Sequence, residues 1–136
     1  MQTVKRSSAI LHGQLSRVLA EMGHTDELLV TDAGLPIPLG VERVDLALTG
    51  NVPRVNTVLQ MILGELTVEE AVMAEEVAKA SRGLFDEVTQ LLPANARITL
   101  VPHQEFKQRT RGVRAAVRTG ELTWYANIIL VGGVSF

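Results

Sequence analysis

Glu27-Leu28-Leu29-Val30-Thr31-Asp32-Ala33-Gly34 is the stretch on which the fold turns. An aliphatic run with no polar break, Leu28–Thr31, reads as a short strand buried on both faces, and Asp32-Ala33-Gly34 reads as the turn that ends it. Upstream, Leu11, Leu15, Val18, Leu19 and Met22 recur at i, i+4 and i+7, which predicts a helix over residues 8–22. His12 stands near the start of that helix, and Gly23 is the expected left-handed cap at its end.

Working downstream, Leu35-Pro36-Ile37-Pro38-Leu39-Gly40 is held extended by its two prolines. In Arg43–Leu48, polar Arg43 and Asp45 alternate with Val44, Leu46 and Leu48, the pattern of a second strand. Arg54–Leu63 reads as helix. Residues 65–80 are ambiguous, because Ala and Glu favour helix while Val68, Val72, Met73 and Val77 suit a buried strand; we expect a strand near Val68–Glu75. An amphipathic helix over Ser81–Leu92 stops at Pro93, Arg97–Val101 is a strand, and Pro102 opens a helix reaching Thr110. Val113–Arg118 and Asn127–Val131 complete the strands. This order of helices and strands predicts an α/β fold over residues 1–136, a three-layer α/β/α single domain with a mixed, mostly parallel central sheet.

Composition narrows the function. The chain has 136 residues, 46% of them apolar, and counting glycine in place of tyrosine raises the apolar share to about 54%, above the usual 45–50%. Charged residues make up only 21%. The surplus excludes disorder and fits either a rich core or self-association. A net charge of −2 gives no reason to expect a nucleic-acid partner. There is no cysteine, hence no disulfide and no thiolate metal site. The amino end lacks a secretory apolar segment, and no run reaches the ~18 apolar residues of a membrane span. The expectation is a soluble, cytoplasmic protein without membrane contact.

Polar residues stand at strand ends and turns, where open α/β sheets hold ligands. Five qualify: His24, Asp32, His103, Tyr125 and Asn127. Carboxylate, amide and phenol groups suit a polyol, and histidine moves protons near neutral pH. Each also has a plain structural reading. His24 would cap helix carbonyls, Asp32 would make an Asx turn, His103 would pack on or cap the next helix, and Tyr125 with Asn127 would form a structural hydrogen-bond pair. The local run of Lys107, Arg109, Arg111, Arg114 and Arg118 fits a phosphate less well than a solvated surface or subunit contact. Two histidines with Asp32 would make a metal triad, but no H-x-x-x-H spacing supports it, so no metal is expected. The glycine spacing and lysine of a phosphate loop are missing, as is a G-x-S-x-G elbow.

Gly23-His24-Thr25-Asp26, Val30-Thr31-Asp32-Ala33-Gly34-Leu35-Pro36-Ile37-Pro38, His103-Gln104-Glu105-Phe106-Lys107, Arg118-Thr119-Gly120-Glu121 and Tyr125-Ala126-Asn127-Ile128-Ile129-Leu130 together resemble the ribose pyranase / fucose mutarotase family. The similarity runs from about Leu11 to Phe136. It implies a cofactor-free isomerase that interconverts the pyranose and furanose forms of D-ribose, or anomers of L-fucose. It further implies that His24 is the proton donor and that Asp32, His103, Tyr125, Ala126 and Asn127 bind the sugar. A homo-oligomer is implied too, a pentameric ring or a decamer, and we expect the site to lie at a subunit boundary, with Tyr125-Ala126-Asn127 set beside a neighbour's histidines. The chain departs from the family pattern at His12, where asparagine is frequent, and at Trp124, where proline commonly precedes Tyr-Ala-Asn.

Overall fold

A computed structural model describes residues 9–136; Ser8 and the residues before it lie outside the described part, so the predicted helix start there does not enter. One six-stranded sheet organises the chain, in the order β2-β5-β1-β6-β3-β4. Its strands are β1 (Glu27–Thr31), β2 (Glu42–Asp45), β3 (Val68–Ala74), β4 (Arg97–Val101), β5 (Ala115–Arg118) and β6 (Ile128–Gly132). Five run parallel, and β6 alone runs antiparallel, between β1 and β3. The helices are α1 (Gly13–Glu21), α2 (Val55–Leu63), α3 (Val77–Ala80), α4 (Arg82–Leu91) and α5 (His103–Arg109).

Strand alternation sorts the aliphatic side chains into two cores. Leu28 and Val30 of β1 join Ala71 and Met73 of β3 and Ile128 and Leu130 of β6 on the face covered by α1, α2 and α4. Leu29, Val72 and Ile129 point the other way, against Phe106 of α5. Helices thus lie on both faces, which makes three layers. The central strands are buried on both sides, so β1 and β6 read as continuous apolar runs rather than alternating ones.

Several local expectations are corrected. The end of α1 is capped by extended Met22, and the left-handed backbone falls two residues beyond Gly23 at Thr25 (φ 72°). An aspartate explains this: the Asp26 carboxylate accepts the Gly23 N–H at 2.8 Å, and the Thr25 N–H is donated to the Gly132 carbonyl at 2.9 Å. β2 stops at Asp45, three residues short of Leu48, because the Asp45 side chain turns back to accept the Ala47 N–H. The first residues assigned to β5, Val113 and Arg114, precede the ladder. In the ambiguous stretch the strand ends at Ala74, and the single turn of α3 follows without forecast. His12 caps α1, its Nδ1 accepting the Leu15 N–H at 3.2 Å.

The sheet has two unlike ends. β1 to β5 all finish at one end, and β6 begins there, with Ile128 opposite Val30 of β1 and Met73 of β3. Since β1 separates β5 from β6, the connection 119–127 must cross the carboxyl end of β1. The topology therefore lays Tyr125–Asn127 directly over Asp32.

Candidate active site

At the carboxyl end of the sheet, Asp32, Gly34, Leu35, His103, Tyr125 and Asn127 line a cleft of about 430 Å³. Asp32 and Asn127 are locked to each other. The Asp32 N–H is donated to Asn127 Oδ1 at 2.8 Å, and Asn127 Nδ2 donates to Asp32 Oδ2 at 3.3 Å. The other carboxylate oxygen, Oδ1, accepts the Gly34 and Leu35 N–H groups at 3.0 and 2.9 Å, an Asx turn. Burial pushes the Asp32 carboxyl above its ordinary value of 3.8, while the N–H groups of Gly34 and Leu35, the Asn127 amide and the Ala126 backbone favour the charged form.

His103 is the first residue of α5. Its N–H is donated to the Glu76 carboxylate at 3.0 Å, which satisfies an otherwise orphaned helix donor, and Phe106 one turn on is fully buried and pins the helix to the sheet. The His103 ring meets that of Tyr125 edge to face, with centroids 5.0 Å apart and planes at 80°. Tyr125 itself holds a left-handed backbone (φ 60°), uncommon for a bulky residue and tolerated where surrounding contacts over-determine it. The Asn127 N–H to Tyr125 carbonyl bond (2.9 Å) closes that bend, and Ala126 between them is fully buried in the core.

His24 is not in this cleft. It precedes β1, whereas Asp32 follows it, and five residues of strand separate the two by about 16 Å at roughly 3.3 Å per residue. There its Nε2 lies 3.3 Å from Glu69 Oε1 and the side chain is half exposed. It makes no helix-capping contact with the carbonyls of α1. The structure thus brings four of the five polar candidates together, leaves the Ala126 side chain in the core behind them, and leaves His24 at the opposite end of the same strand; His103 meets Tyr125 within one chain, so that histidine is not a neighbour's. The basic run divides in the same way: Arg114 pairs with Asp26 at the amino end, and Arg118 with Asp45 and the Ala33 carbonyl at the carboxyl end, so they do not form one cluster.

Two acidic residues near the cleft were not singled out from the sequence: Glu76, which holds the His103 N–H, and the fully buried Glu121 of the cleft wall, quoted only within the matched motif. A glutamate among exposed-looking neighbours carries no local signal of burial. The one available clue is that Glu121 follows Gly120 in a segment between two strands. A Cβ at Gly120 would collide with the backbone of Thr49 and Val52, so the chain there is packed tightly enough to bury what comes next.

The same architecture occurs in known proteins. Residues 5–135 match the model of the RbsD / FucU transport protein family. The D-ribose pyranase of Laribacter hongkongensis is 47% identical over 131 residues, covering 96% of this chain and 99% of that one, and the D-ribose pyranase of Clostridium perfringens (strain ATCC 13124) is 46% identical with equal coverage. Among solved structures, Bacillus subtilis RbsD complexed with D-ribose superposes with a TM-score of 0.93 at 36% identity, covering 97% of this chain and 99% of that one. The fucose mutarotase of Streptococcus pneumoniae in complex with L-fucose follows with a TM-score of 0.76 at 25% identity, covering 92% and 94%. With a family model spanning nearly all its residues, and with relatives 46–47% identical over 96% of its length, this chain belongs to the RbsD / FucU family.

Proposed function

We propose that the protein is a D-ribose pyranase, an isomerase that opens the pyranose ring of ribose and recloses it as the furanose. The observation that carries this reading is the Asp32–Asn127 pair beside His103 and Tyr125 in one open cleft: acceptors and donors for vicinal hydroxyls, with two rings to bound them. The reaction needs a proton removed from the anomeric hydroxyl and one delivered to the ring oxygen, giving the aldehyde. After rotation of the chain, another hydroxyl adds to the carbonyl and the protons return. Oxidation states do not change, so side chains with suitable protons suffice. Acid–base help of this kind supplies typically 10²–10⁴-fold.

His24 is the acid/base in this proposal, Asp32 and Asn127 hold hydroxyls, and His103, Tyr125 and Ala126 shape the rest of the site. Since His24 lies at the far end of β1 within its own chain, it serves a neighbour's cleft, and the working unit is a homo-oligomer, a pentameric ring or a decamer. Supporting this are Leu122 and Trp124, exposed apolar residues on the cleft rim, with Leu48 exposed nearby. No helix among the described residues is long and apolar enough to cross a membrane; a cytoplasmic location accords with a chain free of cysteine.

Saturation-transfer NMR on ribose and on L-fucose, with and without protein, tests the activity. Faster exchange between ribose ring forms is expected. Faster exchange of fucose alone assigns a mutarotase, and saturable ribose binding without faster exchange assigns a binding module. For the shared site, mixing inactive His24→Ala and Asn127→Ala subunits should restore activity; inactivity despite proven subunit exchange refutes it.

A further inference from the structure

Glu121 touches four separate segments of the molecule. Its carboxylate accepts from Arg54 Nε at 3.2 Å, Arg54 Nη2 at 2.9 Å, the Val55 N–H at 3.0 Å and the Thr123 hydroxyl at 2.6 Å. Its carbonyl accepts the Ala33 N–H at 2.8 Å, and its own N–H is donated to Thr119 Oγ1 at 3.1 Å. The residue therefore joins the loop after β1, the start of α2, the end of β5 and the loop that carries Tyr125 and Asn127. Its side chain is fully buried, whereas that of Arg54 is half exposed.

A buried carboxylate is costly to desolvate and contributes little net stability compared with a well-packed apolar residue. Here every oxygen is occupied by donors, and they hold the carboxyl well below its usual range, at about 2, against the opposing effect of burial. What such an arrangement provides is geometry, because charge-assisted hydrogen bonds are directional. The bond to Thr123 fixes the chain one residue before Trp124, whose carbonyl is in turn held by the Ser81 hydroxyl at 2.8 Å. The bond from Ala33 fixes the chain one residue after Asp32.

We infer that Glu121 is a positioning residue: it clamps the loop after β1 to the 122–127 loop and so sets the spacing between the Asp32 carboxylate and the Asn127 amide. Its catalytic consequence rests on the ribose reading above, whereas the clamp itself does not.

The test uses full-length wild type, Glu121→Gln, Thr123→Val and Thr123→Ser, with the Asn127 side-chain amide observed by ¹H–¹⁵N NMR in the absence of sugar. Thr123→Val should stay folded, with a lowered thermal midpoint, and should shift the Asn127 signals and raise the KM for ribose exchange about tenfold; Thr123→Ser, which keeps the hydroxyl, should restore all three. Glu121→Gln should move the same signals further, because its amide places an N–H against Arg54. Unmoved Asn127 signals in both Glu121→Gln and Thr123→Val overturn the inference, as does a Thr123→Ser protein no closer to wild type than Thr123→Val. If wild type does not accelerate ribose exchange, the pyranase reading falls, and the sugar-free Asn127 signals still decide the clamp.

Discussion

The two ends of β1 carry the two halves of the proposed chemistry and are built differently. At the carboxyl end, Asp32 is bound by the Gly34, Leu35 and Asn127 donors, and Glu121 by Arg54, Val55 and Thr123, so each oxygen has an assigned partner. At the amino end, His24 has Glu69 at 3.3 Å and Arg114 has Asp26 at 3.4 Å, all partly open to solvent. The buried network is preorganised, which suits the hydroxyl-holding role proposed for it. The looser end leaves the His24 ring free to change its hydrogen-bond partner, as the proposed role requires.

The comparison is broken most severely by His24→Ala. Ribose exchange should fall by about 10²–10⁴-fold while ribose binding, read by NMR titration, changes little. Equal loss of binding would mean that His24 holds the sugar instead.

Acid sharpens the contrast next. The Glu121 carboxyl is lowered from 4.5 to about 2 on folding, so its stabilisation is fully present above pH 4.5 and is lost as pH falls toward 2. Thermal or urea unfolding should show up to about 3 kcal/mol lost over that interval, and Glu121→Gln should flatten the slope. Asp32 acts in the opposite sense. Burial raises its carboxyl, so that group favours the folded state in its protonated form, and this contribution disappears as pH rises through the raised value. Asp32→Asn should therefore cost less stability at neutral pH than Glu121→Gln, although it alters a proposed sugar contact.

Asn127→Ala comes third. It leaves the partly buried Asp32 N–H without its side-chain acceptor, at a cost of about 1–3 kcal/mol in chemical unfolding, and ribose binding should weaken with it. The smallest effect belongs to the amino end. Glu69→Gln alters a partly exposed contact with His24 and should change stability by less than about 0.5 kcal/mol, leaving ribose binding intact. A loss of several kcal/mol there would erase the distinction between the ends.

Element order and strand positions were legible because they rest on local periodicity. Arg97–Val101 appears with unchanged bounds, and β1 gains only Glu27. Residues 65–80 resisted because a short apolar run suits both a strand and a helix; pairing of β3 with β4 and β6 on either side settles the choice. The Gly23 cap failed for a related reason. A single aspartate three residues on outcompeted the intrinsic freedom of glycine, and the bend moved to Thr25.

By itself, the sequence determined the class of fold, the buried character of β1, and the residue types able to handle a sugar, since each depends on side-chain chemistry and on periods of two or 3.6 residues. Only the tertiary structure decided which of those residues meet. One antiparallel strand beside β1 forces the last loop across its carboxyl end, which joins Asn127 to Asp32 over a separation of 95 residues. The same strand geometry, with no residue changed, sends His24 to the far end of the sheet. Glu121 likewise becomes a buried anchor through the crowding of Gly120 against Thr49 and Val52. Such long-range contacts have no period along the chain, because they arise from where the strands end and not from what the strands contain.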